Sequence, residues 1–223
     1  MEPNMLAKYI DHTILKADVT PEEIEKLCHE ANEYGFAAVC VNACYVSLAK
    51  SLVESGISVA SVVGFPLGAT STAAKSAETA FAIKDGATEI DMVINVGWLK
   101  AGLHSEVEAD IRAVVTAAGN IPVKVIIEAA LLSDADKVTV CQLAKAAGAA
   151  YVKTSTGFGP GGATLADVAL MRQVVGPELG VKASGGVRTL DATLAMIEAG
   201  ASRIGTSSGV AIVKEGKSRH GSV

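Results

Sequence analysis

Four short runs place charged side chains among β-branched and small apolar residues: EIDMVIN (89–95), VKVIIEA (123–129), YVKTST (151–156) and VKASGG (181–186). Runs of this composition read as buried strands, and a charge within one needs a reason, because burying an unpaired ion is costly. Side chains alternate in direction along a strand. Glu89, Asp91, Val93 and Asn95 therefore share a face, as do Lys124 and Glu128, Lys153 and Ser155, Lys182 and Ser184, and, in VCVNA, Cys40 and Asn42. If these faces meet, Lys153 and Lys182 stand together beside Asp91. A buried lysine next to another cation gives up its proton more readily, since desolvation and like charge both disfavour the ammonium. A neutral amine with an acid–base partner is the equipment for Schiff-base chemistry, in which a carbonyl substrate becomes an iminium that withdraws electrons from an adjacent bond. Lys124 and Glu128 read as a supporting ion pair. The competing reading leaves the lysines at strand ends, reaching solvent and paired with Asp91 or Glu128; two lysines and an aspartate together argue against it.

A second constellation suits an anion. Ser184-Gly185-Gly186-Val187-Arg188-Thr189 and Gly205-Thr206-Ser207-Ser208-Gly209 each follow a strand-like run, and residues 154–162 form a further glycine-rich loop. Free backbone N–H groups and a helix N-terminus together bind phosphate. One Gly-Gly turn is weak support, and two such loops are stronger.

These residues need elements to hold them, and a recurring unit supplies them. At seven junctions an Ala-rich amphipathic stretch ends in glycine (Gly35, Gly56, Gly86, Gly119, Gly148, Gly180 and Gly200) and is followed by a Val/Ile-rich run. Each glycine suits a helix C′ position. Thr20-Pro21-Glu22-Glu23, Ser133-Asp134-Ala135-Asp136 and Thr189-Leu190-Asp191 read as helix starts. With a first strand around 9–15 and a last helical segment at 210–215, the chain carries eight strand–helix units, about 28 residues each over 223. That predicts α/β structure as a single (β/α)8 TIM barrel occupying residues 1–223 as one domain. The alternative, an open doubly wound sheet, lacks a GxGxxG in its first βα turn.

Composition narrows the partners. Nineteen Lys and Arg against 24 Asp and Glu leave a formal charge of −5, with no basic block, which argues against nucleic acid or an anionic membrane surface. No apolar run approaches the roughly 18 residues of a spanning helix. Residues 1–10 include Glu2 and Lys8 without an apolar core, so they do not read as a secretory signal, and a cytoplasmic location is expected. Cys28, Cys40, Cys44 and Cys141 form no CxxC and read as reduced thiols; Cys40 reads as small core filler. The four histidines, His12, His29, His104 and His220, show no ligand spacing, so no metal is expected. Ser207 and Ser208 lack an assignable His/Asp pair.

Read together, Asp11-His12-Thr13, VCVNACYV, VVGFPLG, EIDMVINVGWLKAG, VKVIIEAALL, YVKTSTGF, VKASGGVRT and GTSSG closely resemble the 2-deoxyribose-5-phosphate aldolase family of class I aldolases, in order and over nearly the whole chain. The resemblance implies reversible cleavage of 2-deoxy-D-ribose 5-phosphate to D-glyceraldehyde 3-phosphate and acetaldehyde, with no metal or organic cofactor, in deoxyribose phosphate catabolism. It implies Lys153 as the Schiff-base lysine, Lys182 as the lysine that lowers its pKa and joins proton transfer, and Asp91 as the acid–base group. Asp11, Thr13, Cys40, Lys124 and Thr156 match pocket positions, and Gly157, Gly185, Gly186, Ser207 and Ser208 match the phosphate cradle. A small homo-oligomer, dimer or tetramer, is implied. Two departures stand out: Phe158 occupies a position where some members carry Lys, so a charge contact near the phosphate is in question, and the chain ends Arg219-His220-Gly221-Ser222-Val223 where some members end in a tail closing with Tyr; if that tail matters, turnover here is slower or another group substitutes. On the residues alone, a non-covalent phosphosugar isomerase or synthase using Asp91 or Glu128 as base, or a phosphosugar-binding protein without catalysis, stays open.

Overall fold

The computed structural model describes residues 3–220, with side chains from Met5 to Arg219. Met1, Glu2 and the terminal Gly221, Ser222 and Val223 lie outside the described residues, and with them the end of the C-terminal tail on which an expectation above rests. Eight strands, β1 (Ile10–Thr13), β2 (Ala38–Val41), β3 (Ser58–Val63), β4 (Glu89–Val93), β5 (Val123–Ile126), β6 (Tyr151–Lys153), β7 (Gly180–Ser184) and β8 (Arg203–Thr206), close into a barrel in sequence order. Every neighbouring pair is parallel. The (β/α)8 barrel predicted from the sequence is the observed architecture.

Local sequence sets the helix boundaries. Thr20 and Ser133 each make a full capping box at the helices Pro21–Tyr34 and Asp134–Ala146, and Thr189 caps Leu190–Glu198. Gly35 closes the first of these in the left-handed region, φ 66°, which glycine enters without a Cβ clash. The final helix runs Gly209–His220, longer than the segment anticipated. Short helices at Pro3–Ala7 and Val96–Lys100 have too few residues to show a periodicity in sequence.

Two predicted helix stops are displaced. The helix Val46–Leu52 ends at Val53, so Gly56 lies in the turn beyond it. The helix Leu165–Val175 ends at Gly176, and Gly180 is instead the first residue of β7. A Cβ there would lie 2.0 Å from the Tyr151 ring on β6, the register partner of Gly180. The glycine is required by close packing inside the barrel, not by a helix end.

Outward-facing strand residues, such as Val39, Val59, Ile90, Met92, Val125, Val152 and Val181, join the helices in one large apolar core. His12 belongs to this outer face: its Nε2 lies 2.7 Å from Glu30 and its ring packs on Phe36 at 5.0 Å. The barrel interior is divided. On the β1–β3 side Leu15, Cys40, Ala60 and Val62 form a small apolar cluster with Phe65, while the opposite side carries charge.

Gly180→Ala is expected to lose about 1–3 kcal/mol of stability through overpacking against Tyr151, measured by chemical denaturation. An unchanged midpoint would contradict the close approach.

Candidate active site

The inward faces of β4 to β8 and β1 assemble one buried ionic cluster around Asp91. Its Oδ1 accepts from Lys124 Nζ at 2.8 Å, and its Oδ2 accepts from both Lys153 Nζ at 2.7 Å and Lys182 Nζ at 2.8 Å. Register contributes: Asp91 is opposite Lys124 and Lys153 is opposite Lys182, while Lys124 stands opposite Tyr151, two residues before Lys153, so the four inward side chains come from two adjacent levels and meet at one axis. Lys182 also pairs with Asp11 Oδ2 at 2.5 Å, and Lys124 with Glu89 Oε2 at 2.5 Å. Arg203, at the start of β8, closes the cluster from below, 2.5 Å from Asp11 and 3.1 Å from Glu89. Lys124 and Arg203 also lie over the Tyr151 ring.

Three carboxylates, Asp11, Glu89 and Asp91, thus face four basic groups. In a water-poor interior an uncompensated charge is unfavourable, and a lysine shifts its pKa and sheds its proton before it stays buried and unpaired. Lys153 has the weakest claim to a proton. Its one ion-pair contact among the described residues is an Asp91 oxygen that it shares with Lys182, whereas Lys182 and Lys124 each meet at least two carboxylates. Burial, followed by the neighbouring Lys182 ammonium, holds the Lys153 pKa below the usual lysine value, with Asp91 opposing. For Lys182 burial also acts downward, but Asp11 and Asp91 outweigh it and the pKa rises. Lys124 moves up too, as Asp91, Asp11 and Glu89 overcome burial. Burial would raise the Asp91 carboxyl, yet the three lysines hold it well below the carboxylate range. Asp11 is lowered likewise, with Lys182, Arg203 and Lys124 outweighing burial.

Above the cluster opens a cavity of about 390 Å³, at the C-terminal ends of the strands. Lys153 is the one lysine of the three that lines it; Thr13, Thr156 and Ser184 form its walls. Gly157, Gly185, Gly186 and Ser207 line its rim. The three glycines have φ of 85°, 87° and 79°, a region that side chains disfavour and that turns backbone N–H groups toward an anion. The helix Gly209–His220 starts directly behind Ser207 and Ser208, with its dipole suited to phosphate.

Several expected positions sit elsewhere than the sequence placed them. Asp11, Cys40 and Lys124 do not line the cavity; they are fully buried in the barrel interior. Cys40 Sγ lies 3.9 Å from Asp91 Oδ2, and burial pushes its thiol pKa up. Ser208 does not line the cavity either, and its N–H donates to Thr206 Oγ1 at 2.9 Å. Glu128 is not the partner of Lys124. It lies beyond the end of β5 with φ 52°, so strand alternation no longer applies, and its carboxylate accepts from the Thr156 N–H at 3.3 Å and from the Thr156 hydroxyl. Sequence reading missed Glu89 and Arg203 as members of the cluster, although Glu89 shares the parity of Asp91 and Arg203 that of Gly205. It also missed Lys16, and it named Arg188 only as a member of the loop 184–189; both are exposed cations on the cavity lining. Phe158 packs edge-on against Phe65 with ring centres 5.4 Å apart, so the positive charge at this rim comes from Lys16 and Arg188.

Comparison with known proteins places the chain among aldolases. Residues 5–215 match the model of the DeoC/LacD family of aldolases. A deoxyribose-phosphate aldolase of Streptococcus suis (strain 98HAH33) is 61% identical over 209 residues, 93% of this chain and 95% of the relative. One from Streptococcus pneumoniae (strain CGSP14) is 61% identical over 210 residues, covering 94% and 96%. Among solved structures, the tetrameric deoxyribose phosphate aldolase of Aeropyrum pernix superposes with a TM-score of 0.90 at 34% identity, covering 98% of this chain and 93% of that one. With residues 5–215 matched by the family model and the two Streptococcus relatives 61% identical over more than nine-tenths of its length, the chain belongs to the DeoC/LacD aldolase family.

Proposed function

We propose that this chain, acting as one domain over residues 1–223, catalyses the reversible aldol cleavage of 2-deoxy-D-ribose 5-phosphate to D-glyceraldehyde 3-phosphate and acetaldehyde in deoxyribose phosphate catabolism. The observation that carries the reading is Lys153: it alone among the clustered lysines reaches the cavity and is short of carboxylate partners. Its neutral Nζ attacks C1 of the open-chain aldehyde, and loss of water leaves an iminium. The C3 hydroxyl then gives up its proton, the C2–C3 bond breaks, and its electron pair passes to the iminium nitrogen as an enamine. Glyceraldehyde 3-phosphate departs with C3 to C5. Protonation of the enamine at C2 and hydrolysis release acetaldehyde and restore the amine. The iminium is the electron sink, so the chemistry calls for no metal or organic cofactor.

Asp91 Oδ2, held between Lys153 and Lys182, offers the proton path. Lys182 keeps its proton in the resting site because two carboxylates face it. Once Lys153 carries the iminium charge, repulsion makes the Lys182 proton easier to release, which supports a shared role with Asp91 as acid and base. Asp11 and Lys124 hold these groups from below. Thr13 and Thr156 border the substrate, Cys40 packs beside Asp91, and Gly157, Gly185, Gly186 and Ser207 cradle the phosphate, with Ser208 shaping the turn.

We also place the protein in the cytoplasm as a homo-oligomer, dimer or tetramer. Four free cysteines and the tetrameric Aeropyrum pernix relative support this, and among the described residues no helix is long and apolar enough to cross a membrane.

Borohydride added with acetaldehyde or the sugar phosphate is expected to leave a reduced adduct on the Lys153 peptide, read by mass spectrometry and lost in Lys153→Arg. Phosphosugar binding without an adduct would sink the covalent mechanism. Only the neutral amine reacts, so adduct formation should rise with pH through a Lys153 pKa lying below the ordinary 10.5. In Lys182→Met, where a nearby cation is gone and Asp91 has one partner fewer, the midpoint of that rise should move to higher pH; a midpoint that stays or falls would contradict the charge coupling.

A further inference from the structure

We propose that Ser184 is a specificity-determining residue for the aldolase reaction, its hydroxyl binding the alcohol that the three-carbon aldehyde carries between its carbonyl and its phosphate. This rests on the aldolase reading above. Ser184 is 95% buried, given its 5% exposure, and it lines the cavity. Its Oγ has no hydrogen-bond partner among the described residues. A buried hydroxyl without a partner is unfavourable by itself, so a hydroxyl kept in that state at a substrate cavity is explained by a partner that arrives with the substrate.

The backbone of Ser184 is fixed in advance. Its N–H donates to Thr154 Oγ1 at 3.0 Å, and its carbonyl accepts from the same hydroxyl at 2.9 Å. The side chain occupies room left by Gly205 on β8, where a Cβ would stand 2.2 Å from Ser184 Oγ and 3.0 Å from Lys182 Cε. Ser184 Oγ therefore lies beside the Lys182 side chain at one end and, one residue on, adjoins the left-handed Gly185 and Gly186 of the rim. A substrate tethered at Lys153 through C1 and held by its phosphate at C5 must pass this point with its middle carbons. The C3 hydroxyl reacts and belongs near Lys153 and Asp91. The C4 hydroxyl, which is the C2 hydroxyl of glyceraldehyde 3-phosphate, is the next group toward the phosphate and the one that faces Ser184. A neutral hydroxyl both donates and accepts, as an alcohol partner requires. Ser155 Oγ is also buried and without a partner, but Ser155 does not line the cavity.

The test compares two phosphorylated acceptors in the synthetic direction with acetaldehyde: glyceraldehyde 3-phosphate and 3-phosphooxypropanal, which lacks only that hydroxyl. A site built to hydrogen-bond an alcohol discriminates against an analogue without one. Wild-type kcat/KM is expected to favour glyceraldehyde 3-phosphate by about tenfold or more, and Ser184→Ala to lose about tenfold on this acceptor and under about twofold on the other, which corresponds to one hydrogen bond. Ser184→Thr, which keeps a hydroxyl, should retain most of the preference. Equal losses on both acceptors would assign Ser184 to the phosphate or to structure and overturn the proposal. So would a wild-type enzyme that does not distinguish the two, a result that needs no variant to fold. Failure of the underlying reading looks different: wild type would form no borohydride-trapped adduct with acetaldehyde and would join neither acceptor.

Discussion

Asp91 is the group on which the interior of this barrel depends. A single carboxylate accepts from three lysines on three other strands, and each of those lysines is an ion that the apolar barrel would otherwise reject. The cluster is held together by attraction to Asp91 and unsettled by repulsion among the lysines. Glu89 and Asp11 settle Lys124 and Lys182 further, and Arg203 draws on the same two acids from below. What is left over falls on Lys153. Burial lowers its pKa first and the Lys182 ammonium adds to this, and the one carboxylate oxygen it shares is too little to reverse them.

The fold makes that distribution possible by an uneven filling of the interior. Leu15, Cys40, Ala60 and Val62 take up one side with apolar volume, which gives the ions opposite a weakly screening wall. On the charged side two glycines create the room that long side chains need: Gly180 beneath the Tyr151 ring, and Gly205 beneath Lys182 and Ser184. A side chain at either place would displace the groups whose positions set the pKa pattern.

The parts of this arrangement that were legible in sequence are those governed by short-range periodicity. Alternation along 89–95, 151–156 and 181–186 put Asp91, Lys153 and Lys182 on one face, and caps such as Thr20 and Ser133 marked the helices. Partner choice was not legible, because it depends on register between strands. Lys124 turns to its neighbours on β4 and not to Glu128, since Glu128 lies beyond the strand in a left-handed turn. Gly180 looked like a helix stop because a glycine needed for conformation and one needed for close packing are the same letter. Arg203 opens its strand with no second charge on the same face, and its role appears only when the barrel closes β8 onto β1. Ser208 has the right residue type for a phosphate loop, but Thr206 has already taken its N–H.

The two ends of the site obey different physics, and the proposed reaction uses both. The floor is built of charged side chains fixed by many mutual contacts, with little freedom to move as charge shifts during catalysis, the preorganisation that lets a site stabilise a developing charge without rearranging. The rim is built of backbone: left-handed glycines and a helix start, with Lys16 and Arg188 exposed beside them. A phosphate gripped there takes no part in bond breaking, yet its binding energy can hold C1 against Lys153 and the C2–C3 bond in the plane from which electrons reach the iminium. Between them lies the short wall that carries Ser184, where the substrate is neither covalently tethered nor ionically held. Recognition in that stretch must come from neutral hydrogen bonds of fixed geometry, and the Thr154 hydroxyl that locks the Ser184 backbone from both sides gives that wall the rigidity it would otherwise lack.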